Sequence, residues 1–336
     1  MDTHNEPISL DVDQRHVAWL TFNLPDSRVN LLTAEVMRQL DHRLGELEST
    51  IATGRLVAVV LRSGKPGTFV AGADVGEIAG LATQVEARAA SHEGQRIFRR
   101  LERLTIPTIA AVDGLCLGGG TEMILACDHR IASDRPSTQI GLPEIKLGIV
   151  PGFGGCVRLP RLVGIQRALN MILSGRTVSA ARAARLGLVD RIGNFQRFDV
   201  AVEEFVGEIL GGELHEQAPT VSLRDRLLEN TGAGRKLLFS TVRRQTLKQS
   251  GGAYPAPLRA IDVVEATHGM PVEKALPIEA EALAEMAHTD VSRNLVRLFL
   301  LQQAAKRALS AELMAERQPI GKAAVLGAGV MGGAIA

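Results

Sequence analysis

The hydrophobic pattern changes character several times along the chain. Two strand-like runs, ISLDVDQ and HVAWLTFNL, open it, and the turn-rich LPDSRVN follows. In LTAEVMRQLDHRLGELEST the apolar residues fall at helical spacing behind Thr33, a predicted N-cap. LVAVVLRSG (Leu56–Gly64) is a short apolar run ending at glycine, the pattern of a strand buried on both faces. GTFVAGADVGEI is a glycine-punctuated loop leading into a helix. IPTIAAVDGLCLGGGTEMILACDHRIAS repeats that strand–loop–helix order, with His129 on the apolar helix. QIGLPEIKLGIVPGFGG is loop-rich, and the stretch after it reads as helices broken at Gly164, Gly175 and Gly187.

Strands alternating with helices predict an α/β fold. Past about Asp199 helical spacing dominates, with breaks at GGELHEQAPT and SGGAYPAPL, so a boundary is expected near residue 195. VSRNLVRLFLLQQAAKRALSAELMAERQ predicts one amphipathic helix of roughly 40 Å. KAAVLGAGVMGGAIA then reads as a strand and a glycine turn. The expected division is 1–195, a helical extension 196–290, a linker helix 291–319 and a final piece 320–336.

With 336 residues, 46% hydrophobic and 22% charged, the composition is that of a globular protein of about two domains. Lys+Arg at 38 against Asp+Glu at 37 gives no polyelectrolyte signal, so no nucleic-acid partner is expected. Cys116, Cys127 and Cys156 show no C-x-x-C spacing, which disfavours a disulfide framework and fits a reducing compartment. No His pair has metal-ligand spacing, so no metal is expected. The polar, acidic start does not resemble a signal peptide and no run approaches a membrane span, so the expected location is cytoplasmic.

Candidate chemistry sits in three glycine-framed loops. LGGGTE places Glu122 just inside a helix whose glycine-rich start frees N–H groups. GLPEIKLG places Glu144 in a loop, in apolar company, and FVAGADVGEI offers the Ala73 N–H. Each has an ordinary reading taken alone: a carboxylate complementing a helix dipole, a turn glutamate, a common βα turn. Together they describe a thioester-type site with N–H donors from Ala73 and Gly119 and two carboxylates. Two carboxylates in one apolar pocket have their pKa values pushed apart, giving an acid and a base. Adding or removing water across a double bond beside a carbonyl needs that pair.

TFVAGADVGEI, IPTIAAVDGLCLGGGTEMILACDHRIAS and GLPEIKLGIVPGFGGCVRLPRLVG resemble the signature segments of the crotonase (enoyl-CoA hydratase/isomerase) family, over about residues 8–195. YPAPLRAIDVVEA, AHTDVSRNLVRLFL and KAAVLGAGVMGGAIA extend the resemblance to the α-subunits of bacterial multifunctional fatty-acid oxidation complexes. The resemblance implies a crotonase-type ββα spiral core, an α-helical region and the start of a Rossmann domain. It implies Glu122 and Glu144 as catalytic residues, Ala73 and Gly119 as oxyanion donors, and an acyl-CoA substrate. Hydration needs no cofactor, and a thiolase β-subunit is the implied partner of a full-length protein. Thr121 departs slightly from relatives that carry Cys or another small residue there. Δ3-Δ2 isomerisation is the secondary activity, since single-function isomerases keep the carboxylate matching Glu144 and lack the other. Acyl-CoA hydrolysis is a further rival chemistry, and a fragment whose helices from Asp199 to Gln318 dock a partner is the rival from another class.

GAGVMG supplies a G-x-G-x-x-G through Gly327, Gly329 and Gly332, with Met331 implied as a cofactor neighbour. The chain stops at Ala336, before the acidic residue that would hold a ribose, so a fragment that binds NAD only as part of a longer protein is expected. His129 reads as a structural histidine, and Ser174 and Ser179 lack a base pattern for a hydrolase triad. Arg28 in SRVN could line a CoA path but reads as a solvated arginine, as do Lys65 and Lys146 for their type.

Overall fold

The structure is a computed structural model that describes residues 6–213 and 228–308, together with 321, 322 and 324. Its compact units are two, one through Arg297 and one from Leu298 onward. The predicted glycine turn with Gly327, Gly329, Met331 and Gly332 lies outside the described residues.

In the first unit, β1 (Ile8–Val12) and β2 (Val17–Phe22) form an antiparallel pair. The helix α1 (Ala34–Ala52) starts where Thr33 accepts from the Val36 N–H, as the N-cap pattern predicts. Three ββ units follow: β3 (Ala58–Ser63) with β4 (Thr68–Val70), β5 (Thr108–Val112) with β6 (Leu115–Leu117), and β7 (His129–Ser133) with β8 (Gln139–Gly141). The first strand of each joins a six-stranded sheet ordered β1-β2-β3-β5-β7-β10, and the second joins a four-stranded sheet ordered β4-β6-β8-β9. Here β9 is Val178–Ser179 and β10 is Arg191–Gly193. Helices separate the units: α2 (Val75–Gly80) and α3 (Gln84–Glu102) after the first, α4 (Gly119–Ile124) after the second, and α5 (Gly155–Val163), α6 (Ile165–Ser174) and α7 (Ala180–Leu186) after the third. Each turn of the chain thus adds one strand to each sheet, which is a ββα spiral.

The apolar run in β3 has its reason in this architecture. Val59 and Leu61 face the main core with Leu40, Leu44 and Phe98, while Ala58 and Val60 face a second core. That second core is closed by Val202, Phe205 and Val206 of α8 (Phe198–Gly211). Both faces of the sheet are covered, so polar alternation is absent.

Gly164, Gly175 and Gly187 end α5, α6 and α7 at positive φ, where a side chain would be strained. Further helices are α9 (Gly232–Ser250), α10 (Pro255–Thr267), α11 (Val272–Ala287) and α12 (Asp290–Ala308). The rest of the long helix expected to reach Gln318 lies outside the described residues. No helix among the described residues is long and apolar enough to cross a membrane.

His129 differs from its expected place on a helix. It opens β7, pairs in register with Ile109, and packs edge-on against Phe205 at 6.3 Å. The helix before it closes after Ile124 in a tightened turn, with the Ala126 and Cys127 N–H groups donating three residues back to Met123 O and Ile124 O, and an apolar run such as MILAC has no periodicity from which to read that end.

Candidate active site

The three short strands of the smaller sheet explain how distant loops meet. β4, β6 and β8 run parallel, with Val70 beside Cys116 and Leu117 beside Gly141. Their carboxyl ends lie on one edge, so Ala73, Gly119 and Glu144, each a few residues past a strand end, are delivered to the same place. Ligands in parallel α/β architectures sit at that edge.

Each glycine of LGGGTE has its own reason. Gly118 has φ 52° and ψ −126°, and a Cβ there would lie 2.8 Å from Glu144 Oε1. A Cβ on Gly119 would lie 2.9 Å from Leu32 Cδ1 and 3.4 Å from the Phe153 ring. On Gly120 it would press into the Val70 carbonyl oxygen, at 2.4 Å. The triplet therefore admits a carboxylate on one side and a strand backbone on the other. The glycine loops also touch each other: a Cβ on Gly118 would be 3.7 Å from Gly72 Cα.

The Leu32 N–H donates to Gly72 O at 2.9 Å and the Asp74 N–H to Leu32 O at 3.4 Å. In that parallel bridge the residue between, Ala73, turns its own N–H and C=O away from Leu32. Gly119 opens α4, where an N–H has no carbonyl one turn back within the helix.

Glu122 is 2% exposed, and its Oε1 accepts the N–H groups of Phe153 at 2.7 Å and Gly155 at 2.8 Å. Burial pushes its carboxyl up to about 7, against the pull of those two N–H groups and the Arg158 charge. Glu144 begins a 3₁₀ turn (Glu144–Leu147), and its Oε2 is shielded from solvent with no hydrogen-bond partner among the described residues. Its carboxyl is held well above the ordinary range, by burial first and then by the charge of Glu122. The two glutamates are thus brought together, and they do not ionise independently.

Thr121 does more than stay small. Its hydroxyl lies 2.8 Å from Cys116 O and 2.9 Å from Gly141 O, tying the start of α4 to the ends of β6 and β8. In the SRVN loop the structural weight falls on Asn30. Its Nδ2 reaches Phe22 O, Ser63 Oγ and Phe69 O at 2.9–3.0 Å, while Arg28 is exposed. Lys65 Nζ donates to Ser27 O at 2.7 Å and Lys146 is exposed. Ser179 caps α7, and the Ser174 hydroxyl donates to Met171 O at 3.4 Å.

Two site residues escaped the sequence reading. Glu279 of α11 has no exposure and accepts the Gly154 N–H at 2.5 Å and the Val157 N–H at 3.2 Å. Tyr254 donates its hydroxyl to the Ile145 carbonyl, beside Glu144. A signal for Glu279 existed: it stands within the apolar stripe of its helix, between Ala275, Leu276, Ala280 and Met286. Among the described residues no group of three or more His, Cys, Asp or Glu side chains is arranged to hold a metal ion.

A ββα spiral that gathers two buried carboxylates beside two turned-out backbone amides defines a crotonase-type protein. Residues 13–227 match the family model described as enoyl-CoA hydratase/isomerase, and the chain belongs to that family. It is 38% identical over 320 residues to the fatty acid oxidation complex subunit alpha of Shewanella sp. (strain MR-4), covering 95% of this chain and 44% of the relative. The subunit of that name from Vibrio cholerae is 35% identical, at 99% and 46% coverage. The chain spans about half the length of these curated relatives. Among solved structures it is similar to an enoyl-CoA hydratase from Bacillus anthracis, with a TM-score of 0.55 and 27% identity over 90% of this chain and 96% of the other. The human mitochondrial delta3-delta2-enoyl-CoA isomerase shares the fold, with a TM-score of 0.63 at 20% identity over 90% of this chain and 99% of the other.

Proposed function

We propose that the chain hydrates trans-2-enoyl-CoA to 3-hydroxyacyl-CoA, with Glu122 and Glu144 as the catalytic pair. The observation that carries the reading is the coupled burial of these two carboxylates beside the Gly72 and Gly118 loops. Two such groups share a proton near neutral pH, so one is a base while the other is an acid. Water held between them loses a proton to the basic carboxylate as its oxygen bonds to C3 of the enoyl group. The C2–C3 π pair moves toward the thioester, whose oxygen takes up negative charge. The Ala73 and Gly119 N–H groups face that oxygen. The enolate then takes a proton at C2 from the acidic carboxylate, which restores the thioester. No cofactor takes part in these steps.

The alpha-subunit relatives support a wider role. In this reading residues 1–195 form the cytoplasmic hydratase, 196–290 a helical extension and 291–319 a linker helix within a fatty-acid oxidation complex whose β-subunit is a thiolase. NAD would be held through Gly327, Gly329, Met331 and Gly332 in a complete domain. The test is crotonyl-CoA hydration, followed as loss of enoyl-thioester absorbance. Glu122→Gln and Glu144→Gln are each expected to lower turnover by about 10²–10⁴. Near wild-type turnover in both overturns the assignment.

A further inference from the structure

The turn that holds Glu122 is held from its other side by a third carboxylate. Phe153 and Gly155 direct their N–H groups at Glu122 Oε1, while Gly154 between them directs its N–H at Glu279 Oε1. Val157 adds its N–H to Glu279 Oε2. These amides open α5, whose N-cap position is Gly154 and has no side chain to satisfy them. Two glutamates from distant elements do so instead. The carbonyls of the turn are fixed as well: Gly152 O accepts from Ser91 Oγ at 2.5 Å and Gln95 Nε2 at 3.0 Å, and Phe153 O accepts from Arg158 at 2.9 Å.

Glu279 is unlike its neighbours on α11. Glu273 pairs with Arg99 of α3 and with Arg103 just past its end, Glu281 with Arg88 of α3, and Glu285 with Arg259 of α10. Among the described residues Glu279 has no such ion pair, and it spends both oxygens on backbone amides of the site turn. We propose that Glu279 is a positioning residue for the hydration inferred above, fixing the 153–157 turn that orients Glu122 and acting electrostatically on the Glu122–Glu144 pair. The inference rests on that functional reading. Helix α11 therefore belongs to the site, reaching Glu122 through the turn that leads into α5.

The charges around it fit. Glu122 from α4 and Glu144 from the 3₁₀ turn face it, as do Cys156, Arg158 and Arg161 of α5, and Glu102 of α3 pairs with Arg158 at 3.0 Å. Burial raises Glu279 to about 8, the Glu122 charge adds to this, and the Gly154 amide and Arg158 oppose it. The charge of Glu279 in turn raises Glu144, after burial and Glu122. Removing the Glu279 charge lets Glu144 ionise at lower pH.

The experiment is Glu279→Gln in the 336-residue chain, which keeps one acceptor oxygen and removes the charge. We expect kcat on crotonyl-CoA to fall by about tenfold with KM within about twofold. The alkaline limb of the pH–rate profile, set by Glu144 as the acid, moves to lower pH, and so does the Glu144 titration midpoint in carboxyl-¹³C NMR. Gln95→Leu loosens the same turn without a charge change, so it lowers kcat and leaves the limb in place. Unchanged kcat, or a lowered kcat with an unmoved limb and an unmoved NMR midpoint, overturns the proposal. If Glu279→Gln does not fold, Glu279→Asp decides: it keeps the limb and loses turnover, and wild-type turnover counts against us. A wild-type chain that fails to hydrate crotonyl-CoA sinks the functional reading alone, because the substrate-free NMR titration still tests Glu279.

Discussion

Replacing Gly118 by alanine separates the chemistry of the glycine triplet from its packing. At φ 52° and ψ −126° a Cβ is strained whatever space surrounds it, at a cost of about 1–3 kcal/mol. The new methyl also meets Glu144 Oε1 at 2.8 Å and its Cδ at 3.6 Å. To regain ordinary contact the oxygen must withdraw by roughly 0.5 Å, and the end of a side chain can yield that far. A 1 Å misplacement costs about 10²-fold in rate, so this shift costs about tenfold in kcat. Gly118→Ala therefore folds, melts a few degrees lower by circular dichroism, and loses about tenfold in crotonyl-CoA turnover. Gly120→Ala is the contrast. Its methyl meets the Val70 carbonyl at 2.4 Å and Val70 Cβ at 2.9 Å, backbone and branched carbon that do not yield. Its cost, about 1–3 kcal/mol, falls on stability, and the folded fraction keeps its activity. Gly118→Ala with wild-type kcat refutes the placement of Glu144 at the reacting centre.

Two further outcomes follow from the same geometry. Gly119→Val puts a branched side chain against Leu32 and Phe153, where the thioester oxygen must approach, so calorimetry with acetoacetyl-CoA is expected to show affinity reduced by at least tenfold in a folded protein; unchanged affinity counts against the oxyanion site. Glu122, Glu144 and Glu279 all have folded-state values above the unfolded 4.5, so the stability they contribute is present below about pH 4.5 and is lost as pH rises through about 7 to 8. Urea unfolding should show stability falling across that window by at most ~1.4 kcal/mol per pH unit per proton, with a shallower fall in Glu144→Gln; identical slopes would contradict the buried, coupled site.

What the sequence made legible has a physical pattern. Thr33 and the glycines at 164, 175 and 187 mark helix ends because caps and positive φ are local demands, readable from a few residues. The two-sided burial of β3 is readable because it fills every position with apolar residues. Glu122 and Glu144 stood out because glycine frames them both. The smaller sheet was not legible. β4, β6 and β8 are three residues each, too short to show a period of two, and they read as parts of loops. Glu279 was hidden for another reason: its partner Gly154 is 125 residues away, and no local pattern encodes that pairing.

The helices after α8 bear on how the site is stabilised. Tyr254 binds the carbonyl of Ile145, so it steadies the turn that carries Glu144. A Cβ on Gly148 would lie 2.9 Å from Ser292 Cα, and one on Gly152 would run into Leu283, so α11 and the start of α12 lie directly on both site turns. Glu279 then supplies the acceptors that the first turn of α5 lacks. A buried N–H left without a partner costs about 1–3 kcal/mol, and the Gly154 N–H would be orphaned without that one side chain, while the Val157 N–H would keep only the Gly154 carbonyl. The geometry around Glu122 is consequently set by residues more than a hundred positions later in the chain. Substitutions that alter the packing of α11 on α3 and α5 are therefore expected to act on the proposed proton transfer as well as on stability, although none of those side chains bears a reacting atom in that proposal.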